Sequence, residues 1–131
     1  MKRLVVSATE PQSGPIAAAA DVLWRGGVVA FPTDTLYGLA VDPRRSHAVE
    51  RLFLLKGRDA SSALPLIAAS LVQASAAASL GPRERRAAEA FWPGPLSIVA
   101  VANTCISATA LAGRTTVAIR VPAHAVATHL A

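Results

Sequence analysis

Prolines and glycines divide this chain into short segments, and this division limits its possible folds more than any other feature. Nine prolines and eight glycines fall mostly between apolar segments that are long enough for single helices or strands. Segments with helical spacing alternate with segments of strand character along the chain. This alternation predicts an α/β or α+β structure with helices packed on a sheet, and it leaves parallel and antiparallel pairing open.

The individual elements follow from the apolar spacing and from the residues that start or stop a helix. Strand character is found at residues 4–8, 28–31, 64–68, 96–102 and 116–121. Helical character is found at residues 13–25, 46–56, 70–80 and 82–91. A polar loop is predicted between the last two strands, at residues 103–114.

Length and composition predict one domain, residues 1–131, with a basic surface. No apolar run approaches the roughly 20 residues that span a bilayer, and no secretory segment begins the sequence, so we expect a cytoplasmic protein. The net charge of +5 and the isoelectric point near 10.7 favour anionic ligands such as nucleotides, phosphates or RNA. A single cysteine, Cys105, excludes a disulfide framework and a thiolate metal cage.

The segment PTDTLYG, residues 32–38, directly follows an apolar strand segment. Its two threonine hydroxyls and one carboxylate are therefore expected at the end of a strand, where α/β proteins commonly bind ligands. A capped turn without a ligand is the alternative explanation for the same residues.

Two further segments place cations where they could bind an anion. Lys56 and Arg58 lie on either side of Gly57 at a predicted helix end, where they could hold a phosphate or complement the helix dipole. Strand alternation puts Thr116 and Arg120 on one face of the last strand, which suggests an anion site or an exposed edge strand.

Several classes of site are not supported by the sequence. No Walker loop, dinucleotide fingerprint, metal-ligating pair or nucleophile with a neighbouring base occurs in it. The aromatic turn FWPGPL, residues 91–96, is predicted to be structural and to pack a corner of the fold.

Four segments, in this order, resemble the YrdC-like family of threonylcarbamoyl-adenylate synthases: residues 31–39 (FPTDTLYGL), 55–58 (LKGR), 91–97 (FWPGPLS) and 117–124 (VAIRVPAH). Each segment is weak alone, and their order makes the resemblance specific. It covers residues 14–131. The resemblance implies a twisted open sheet with helices packed on it and a basic concave face. It also implies a nucleotidyltransferase-type enzyme that uses L-threonine, bicarbonate and ATP for the N6-threonylcarbamoyladenosine modification of tRNA.

The same resemblance implies roles for individual residues. Thr35 and Arg120 would bind L-threonine, with Arg120 on its carboxylate. Lys56 and Arg58 would act in catalysis by offsetting, together with Mg²⁺, the charge of the carbamate and triphosphate, and no residue is predicted to hold a resident metal. The implied nucleotide contacts are Lys56, Arg58, Ser62 and Thr116.

This sequence departs from the family pattern in three places, of which the mildest is Asp59 in place of a common Pro after Arg58. Ser62 stands where many members have Lys or Asn, and the sequence ends at Ala131, before the family's last helix, strand and Ser-x-Asn motif. We therefore expect the domain of residues 1–131 to be C-terminally incomplete relative to the family and to make little product alone. An exposed sheet edge would also favour self-association.

In the leading interpretation, the product would pass to the pathway's threonylcarbamoyl-transfer enzyme. Two other interpretations stay open at this point. The alternative is a catalytically impaired YrdC-like module that binds double-stranded RNA or tRNA through phosphates and shape. A third is related carbamoyl-adenylate chemistry, as in the larger hydrogenase-maturation and O-carbamoylation enzymes that contain this domain.

Overall fold

The computed structural model describes residues 2–57, 59 and 61–131, and it shows the predicted alternation of helices and strands. The helices are α1 (Ser13–Trp24), α2 (Ser46–Lys56), α3 (Leu71–Ala77), α4 (Pro82–Phe91), α5 (Ala108–Leu111) and α6 (Ala125–Leu130). The strands are β1 (Val29–Phe31), β2 (Gly38–Ala40), β3 (Leu66–Ile67), β4 (Ala78–Ser79), β5 (Ile98–Ala102) and β6 (Thr116–Arg120). The mixed α/β class predicted from the sequence is confirmed.

The strands form two sheets. β1 and β2 make an antiparallel pair, and the other sheet has the strand order β3-β6-β5-β4. Within it β3 runs parallel to β6, while β5 is antiparallel to both β6 and β4. The register sets Ile119 of β6 opposite Leu66 of β3 and opposite Ile98 of β5, so β6 is an inner strand of this sheet.

The core lies on the face of β6 that carries Val117 and Ile119. Val117 and Ile119 are almost completely buried and share one apolar cluster with Val49, Leu52 and Phe53 of α2. Burying a side chain of this size stabilises the fold by about 1.5–3 kcal/mol. Along β6 buried and partly exposed residues alternate, which confirms the predicted two-faced strand and puts Arg120 on the face opposite Ile119.

One predicted element is absent, and another ends earlier than predicted. Residues 4–8 form no strand, and Val5 is 85% exposed, because no described strand pairs with this segment. The helix predicted to reach residue 80 ends at Ala77, since Ala78 instead pairs with Ala102 at the edge of the sheet.

Besides β4, three of the described elements were not predicted. α5 interrupts the polar loop of residues 103–114, and the Ser107 hydroxyl caps it by accepting the Ala110 N–H at 3.2 Å. β2 and α6 also form, because each finds tertiary partners: β2 pairs with β1, and α6 packs against α1.

The aromatic turn after α4 is structural, as predicted for Trp92. Its indole Nε1–H donates to the Leu96 carbonyl at 2.7 Å, and the Gly94 N–H donates to the Val121 carbonyl at 2.8 Å. A Cβ at Gly94 would lie 2.4 Å from the Phe91 carbonyl oxygen, so the turn requires glycine there. Phe91 differs from the prediction, because its side chain is 62% exposed and packs no corner.

Among the described residues, no helix combines the length and the apolar character that crossing a membrane requires.

Candidate functional site

A cavity of about 710 Å³ lies between the loop after β1, the end of α2 and the end of β6. Three of the residues implicated by the sequence line it: Thr35, Lys56 and Arg120. They come from three separate elements, so only the tertiary structure brings them to one place. Arg44 and Asp42 also line the cavity, and among the described side chains that line it, three cations stand against one carboxylate, so the charged lining is predominantly positive.

The loop after β1 holds its own shape through Thr33. The Thr33 hydroxyl donates to the Leu36 carbonyl at 2.7 Å and accepts the N–H groups of Thr35 and Leu36 at 3.2 Å. Its oxygen is also 3.1 Å from Oγ1 of Thr35. Because the Thr33 hydrogen is directed at Leu36, Thr35 is the donor in that bond, and its own oxygen remains free to accept.

Arg120 reaches the Thr35 loop from the last residue of β6. Both Nη1 and Nη2 of Arg120 lie 3.5 Å from Oγ1 of Thr35, and Nη1 lies 3.3 Å from Oδ1 of Asp34. The predicted threonine-binding pair, Thr35 and Arg120, is therefore in contact in this structure. The other carboxylate oxygen of Asp34 accepts the Ala123 N–H at 3.1 Å.

Lys56 reaches the cavity because α2 ends beside it. Gly57 stops the helix in the left-handed conformation at φ 56°, as its position predicted. Lys56 is exposed and lines the cavity. Arg58, predicted to act with Lys56, lies outside the described residues.

Ser62 and Thr116 are not among the described residues that line this cavity. The Ser62 N–H donates to the Asp59 carbonyl at 3.1 Å in a turn after α2. Thr116 pairs with Val101 at the start of β6, about 13 Å along the strand from Arg120 at about 3.3 Å per residue. Their nucleotide-binding role stays a prediction.

The sequence analysis did not identify Arg44, a further cation at the cavity wall that is held there by Asp42. The buried carboxylate of Asp42 pairs with Arg44 through two 2.8 Å contacts, Nε to Oδ1 and Nη2 to Oδ2, and lies 3.5 Å from Nε of Arg45. Burial raises the pKa of Asp42, but the hydrogen bonds from Arg44 and the charges of Arg44 and Arg45 outweigh it and hold this pKa below its ordinary value. The hydrogen bond to Asp42 in turn raises the pKa of Arg44.

The two arginines also contact an exposed aromatic ring. The guanidinium carbons of Arg44 and Arg45 lie 5.7 and 5.4 Å from the ring centroid of Trp24, within the range of a cation–π interaction. The only signal in the sequence is the adjacent pair of arginines after Asp42, and nothing there shows that Trp24 of α1 meets them.

No group of three or more His, Cys, Asp or Glu side chains in the described part of the chain could hold a metal ion. The arrangement consists of a guanidinium and a hydroxyl that can bind a small zwitterion, beside cations that can bind phosphates.

Known proteins resemble this chain over most of its length. The sequence model of the Sua5/YciO/YrdC family, described as "Telomere recombination", matches residues 21–131. The threonylcarbamoyl-AMP synthase of Thiobacillus denitrificans is 40% identical over 120 residues, which cover 91% of this chain and 64% of that protein. The enzyme of the same name from Halorhodospira halophila is 44% identical over 113 residues, covering 86% and 59%. The chain thus spans less than two thirds of either relative.

One solved structure is described as Sua5 of P. abyssi complexed with L-threonine. It is 35% identical to this chain, superposes with a TM-score of 0.88, and the match covers 98% of this chain and 38% of that one. The family that the four sequence segments indicated is therefore confirmed by sequence and by fold. This chain belongs to the Sua5/YciO/YrdC family.

Proposed function

We propose that the protein acts as an L-threonylcarbamoyladenylate synthase. The observation that carries the proposal is the contact of Arg120 with Thr35 at a cavity that Lys56 also lines. Two relatives, at 40% and 44% identity, bear the name threonylcarbamoyl-AMP synthase. A neighbour with the same fold is described as complexed with L-threonine, which supports an amino-acid site in this part of the family.

The reaction joins three small molecules. The amine of L-threonine attacks bicarbonate, and loss of water gives the threonine carbamate. A carbamate oxygen then attacks the α-phosphorus of ATP, the bond to the β-phosphate breaks, and pyrophosphate leaves. Both steps depend on positioning and on neutralising negative charge, so they need no protein nucleophile.

Thr35 and Arg120 are the proposed amino-acid site. The guanidinium of Arg120 would bind the α-carboxylate, for which its fork of donors is suited. The hydroxyl oxygen of Thr35 would accept a hydrogen bond from the threonine hydroxyl, because its own hydrogen is donated to Thr33. Because these groups are 3.5 Å apart, one small molecule can contact both.

Lys56 and Arg58 are the proposed cations for the triphosphate, and Ser62 and Thr116 are proposed as further nucleotide contacts. Arg44 lies on the same cavity wall as Lys56, so we add it to the candidates for phosphate binding. ATP would enter as its Mg²⁺ complex, since Mg²⁺ in such sites is usually held by phosphates and only one or two carboxylates.

The product is an activated carbamoyl group, and we propose that it serves the N6-threonylcarbamoyladenosine modification of tRNA. A separate transfer enzyme would carry the group to the adenosine. We expect this reaction in the cytoplasm, where tRNA is available.

Pyrophosphate release tests the proposal. We expect release to need L-threonine, bicarbonate and ATP together, and to stop when any one is omitted. L-Valine, which has nearly the same shape and no hydroxyl, is the matched control and should support at least tenfold less release, because the Thr35 hydroxyl would lose its partner. Release that does not depend on the amino acid would contradict the proposed function.

A further inference from the structure

The carboxylate of Asp34 joins two elements of the cavity wall and does not itself line the cavity. Oδ2 accepts the Ala123 N–H in the turn after β6 at 3.1 Å, while Oδ1 lies 3.3 Å from Nη1 of Arg120. The side chains of Asp34 and Arg120 are only 13% and 12% exposed. Asp34 therefore stands behind the residues that face a ligand.

The two charges depend on each other. Oδ1 of Asp34 is buried and accepts no hydrogen bond from any described residue, so the charge of Arg120 is its compensation. In the described part of the chain, Asp34 is the acidic residue that forms an ion pair with Arg120. A buried charge without its partner is strongly unfavourable, so the pair restrains the position of both groups.

This restraint sets which donors Arg120 can offer. Nη1 faces Asp34, both terminal nitrogens lie beside Oγ1 of Thr35, and Nε has no partner among the described residues. A guanidinium fixed in this way keeps donors for a ligand without having to be ordered when the ligand binds.

We propose that Asp34 is a positioning residue for amino-acid recognition: it aligns the guanidinium of Arg120 with the hydroxyl of Thr35. One carboxylate oxygen of Asp34 accepts a hydrogen bond from the turn after β6, and the other faces Arg120. Asp34 thereby holds the loop after β1 to the turn after β6. This inference rests on the proposed function, because the ligand it concerns is the α-carboxylate of an amino acid.

A purely structural role is the competing explanation, since Asp34 could serve only to cap the turn at Ala123. Asp34→Asn separates the two. The amide oxygen can still accept the Ala123 N–H, but the amide then presents an N–H₂ group to Nη1 of Arg120, where two donors face each other. If the amide flips, the cap is lost and the negative charge is still missing.

The binding experiment is calorimetry of L-threonine and of ATP on the whole chain. We expect Asp34→Asn to raise the Kd for L-threonine at least tenfold and to change the Kd for ATP less than twofold. Asp21→Asn, which removes the exposed partner of Arg25 on α1, is the matched control and should change neither constant. In the Arg120→Lys background, Asp34→Asn should add less than twofold, because its effect acts through Arg120.

Wild-type threonine affinity in Asp34→Asn would overturn the inference, and so would equal weakening for threonine and ATP. A second readout needs no ligand: rotation of the Nη1 group of Arg120 about its Cζ–Nη1 bond, followed by NMR line shapes, should be slow in the wild type, where Nη1 faces Asp34, and faster in Asp34→Asn. If the wild type binds no threonine, the proposed function fails. In that case unchanged rotation of the Nη1 group in Asp34→Asn would still overturn the positioning role, and faster rotation would support it.

Discussion

Arg120 shows how much of this site depends on the chemistry of single residues. Strand alternation explains why its side chain points away from the core face. The direction of the guanidinium is set by Asp34 and Thr35, which lie 86 and 85 positions earlier in the sequence. A lysine would keep the charge and lose the fork of donors, so the residue type matters as well as the charge.

Arg120→Lys is accordingly expected to raise the Kd for L-threonine about tenfold or more, since a point charge cannot make two parallel hydrogen bonds to a carboxylate. ATP affinity should change less than about twofold on the same scale. Titration calorimetry with each ligand measures both effects. Arg114→Lys, at an exposed position just before β6, is the control. Equal losses for the two ligands would be evidence against the proposed role of Arg120.

Asp42 carries the pH dependence that the structure predicts. Its pKa is lowered in the folded state, so its ionised form stabilises the fold above the unfolded value near 3.8, and this contribution is lost as pH falls through the lower folded value. At pH 7 we expect Asp42→Asn to reduce the free energy of unfolding by about 1.5–3 kcal/mol, the usual range for hydrogen bonds to a charged group.

Urea unfolding of the wild type and of Asp42→Asn between pH 7 and pH 3 would test this expectation. The difference between the two proteins should shrink as the pH falls below about 4, because the carboxylate of the unfolded wild type then binds a proton while the folded one, whose pKa is lower, is still ionised. Asp21→Asn, at an exposed ion pair, should change stability by at most about 1 kcal/mol. A difference for Asp42→Asn that is the same at pH 3 and pH 7 would contradict the electrostatic explanation.

At the scale of elements, the end of α2 determines where the phosphate-binding candidates lie. The helix delivers Lys56 to the cavity, and Gly57 turns the chain with φ 56°. An added Cβ at Gly57 would meet nothing within 4 Å, so only the backbone conformation resists a side chain there.

Gly57→Ala should therefore lower the free energy of unfolding by about 1–2 kcal/mol, the cost of a left-handed alanine. Gly57→Asn should lose less, because asparagine tolerates this conformation. Gly14→Ala is the matched control: Gly14 lies in α1 with open space around it, and alanine there should stabilise the chain by about 0.4–1 kcal/mol. Chemical unfolding measures all three, and equal effects at positions 57 and 14 would refute the conformational argument.

At the scale of the whole molecule, the net charge of +5 is the property that bears on large anionic partners. If the chain binds double-stranded RNA, we expect binding to be independent of sequence and sensitive to salt, because lysine and arginine side chains displace counterions from phosphates. If the chain makes about four phosphate contacts, raising the salt from 50 to 200 mM should weaken binding roughly 100-fold.

Fluorescence anisotropy with two duplexes of unrelated sequence measures this dependence. The two should bind with the same affinity at every salt concentration and lose it in parallel. Affinity that stays constant as salt increases, or that differs between the duplexes, would show that RNA is recognised by something other than net charge.

The sequence alone determined the class of fold, most helices, four of the strands and the family. Those features depend on local properties: apolar spacing, the Gly57 stop after α2, the Ser70 cap of α3, and motifs whose order is visible in one dimension. It also identified Thr35, Lys56 and Arg120 as candidates, because polar residues next to buried strands and at helix ends can be recognised from neighbouring residues.

Only the tertiary structure decided which of these residues meet. The contact of Arg120 with Thr35 and Asp34, and the pairing of Asp42 with Arg44 beside Trp24, join positions on different elements, and their geometry depends on strand register and helix packing. The same reason explains the strand β4 in place of a longer helix, since Ala78 follows its sheet partner and not its helical propensity. Long-range packing overrides local preference wherever the two disagree, and here it decided the geometry of the site.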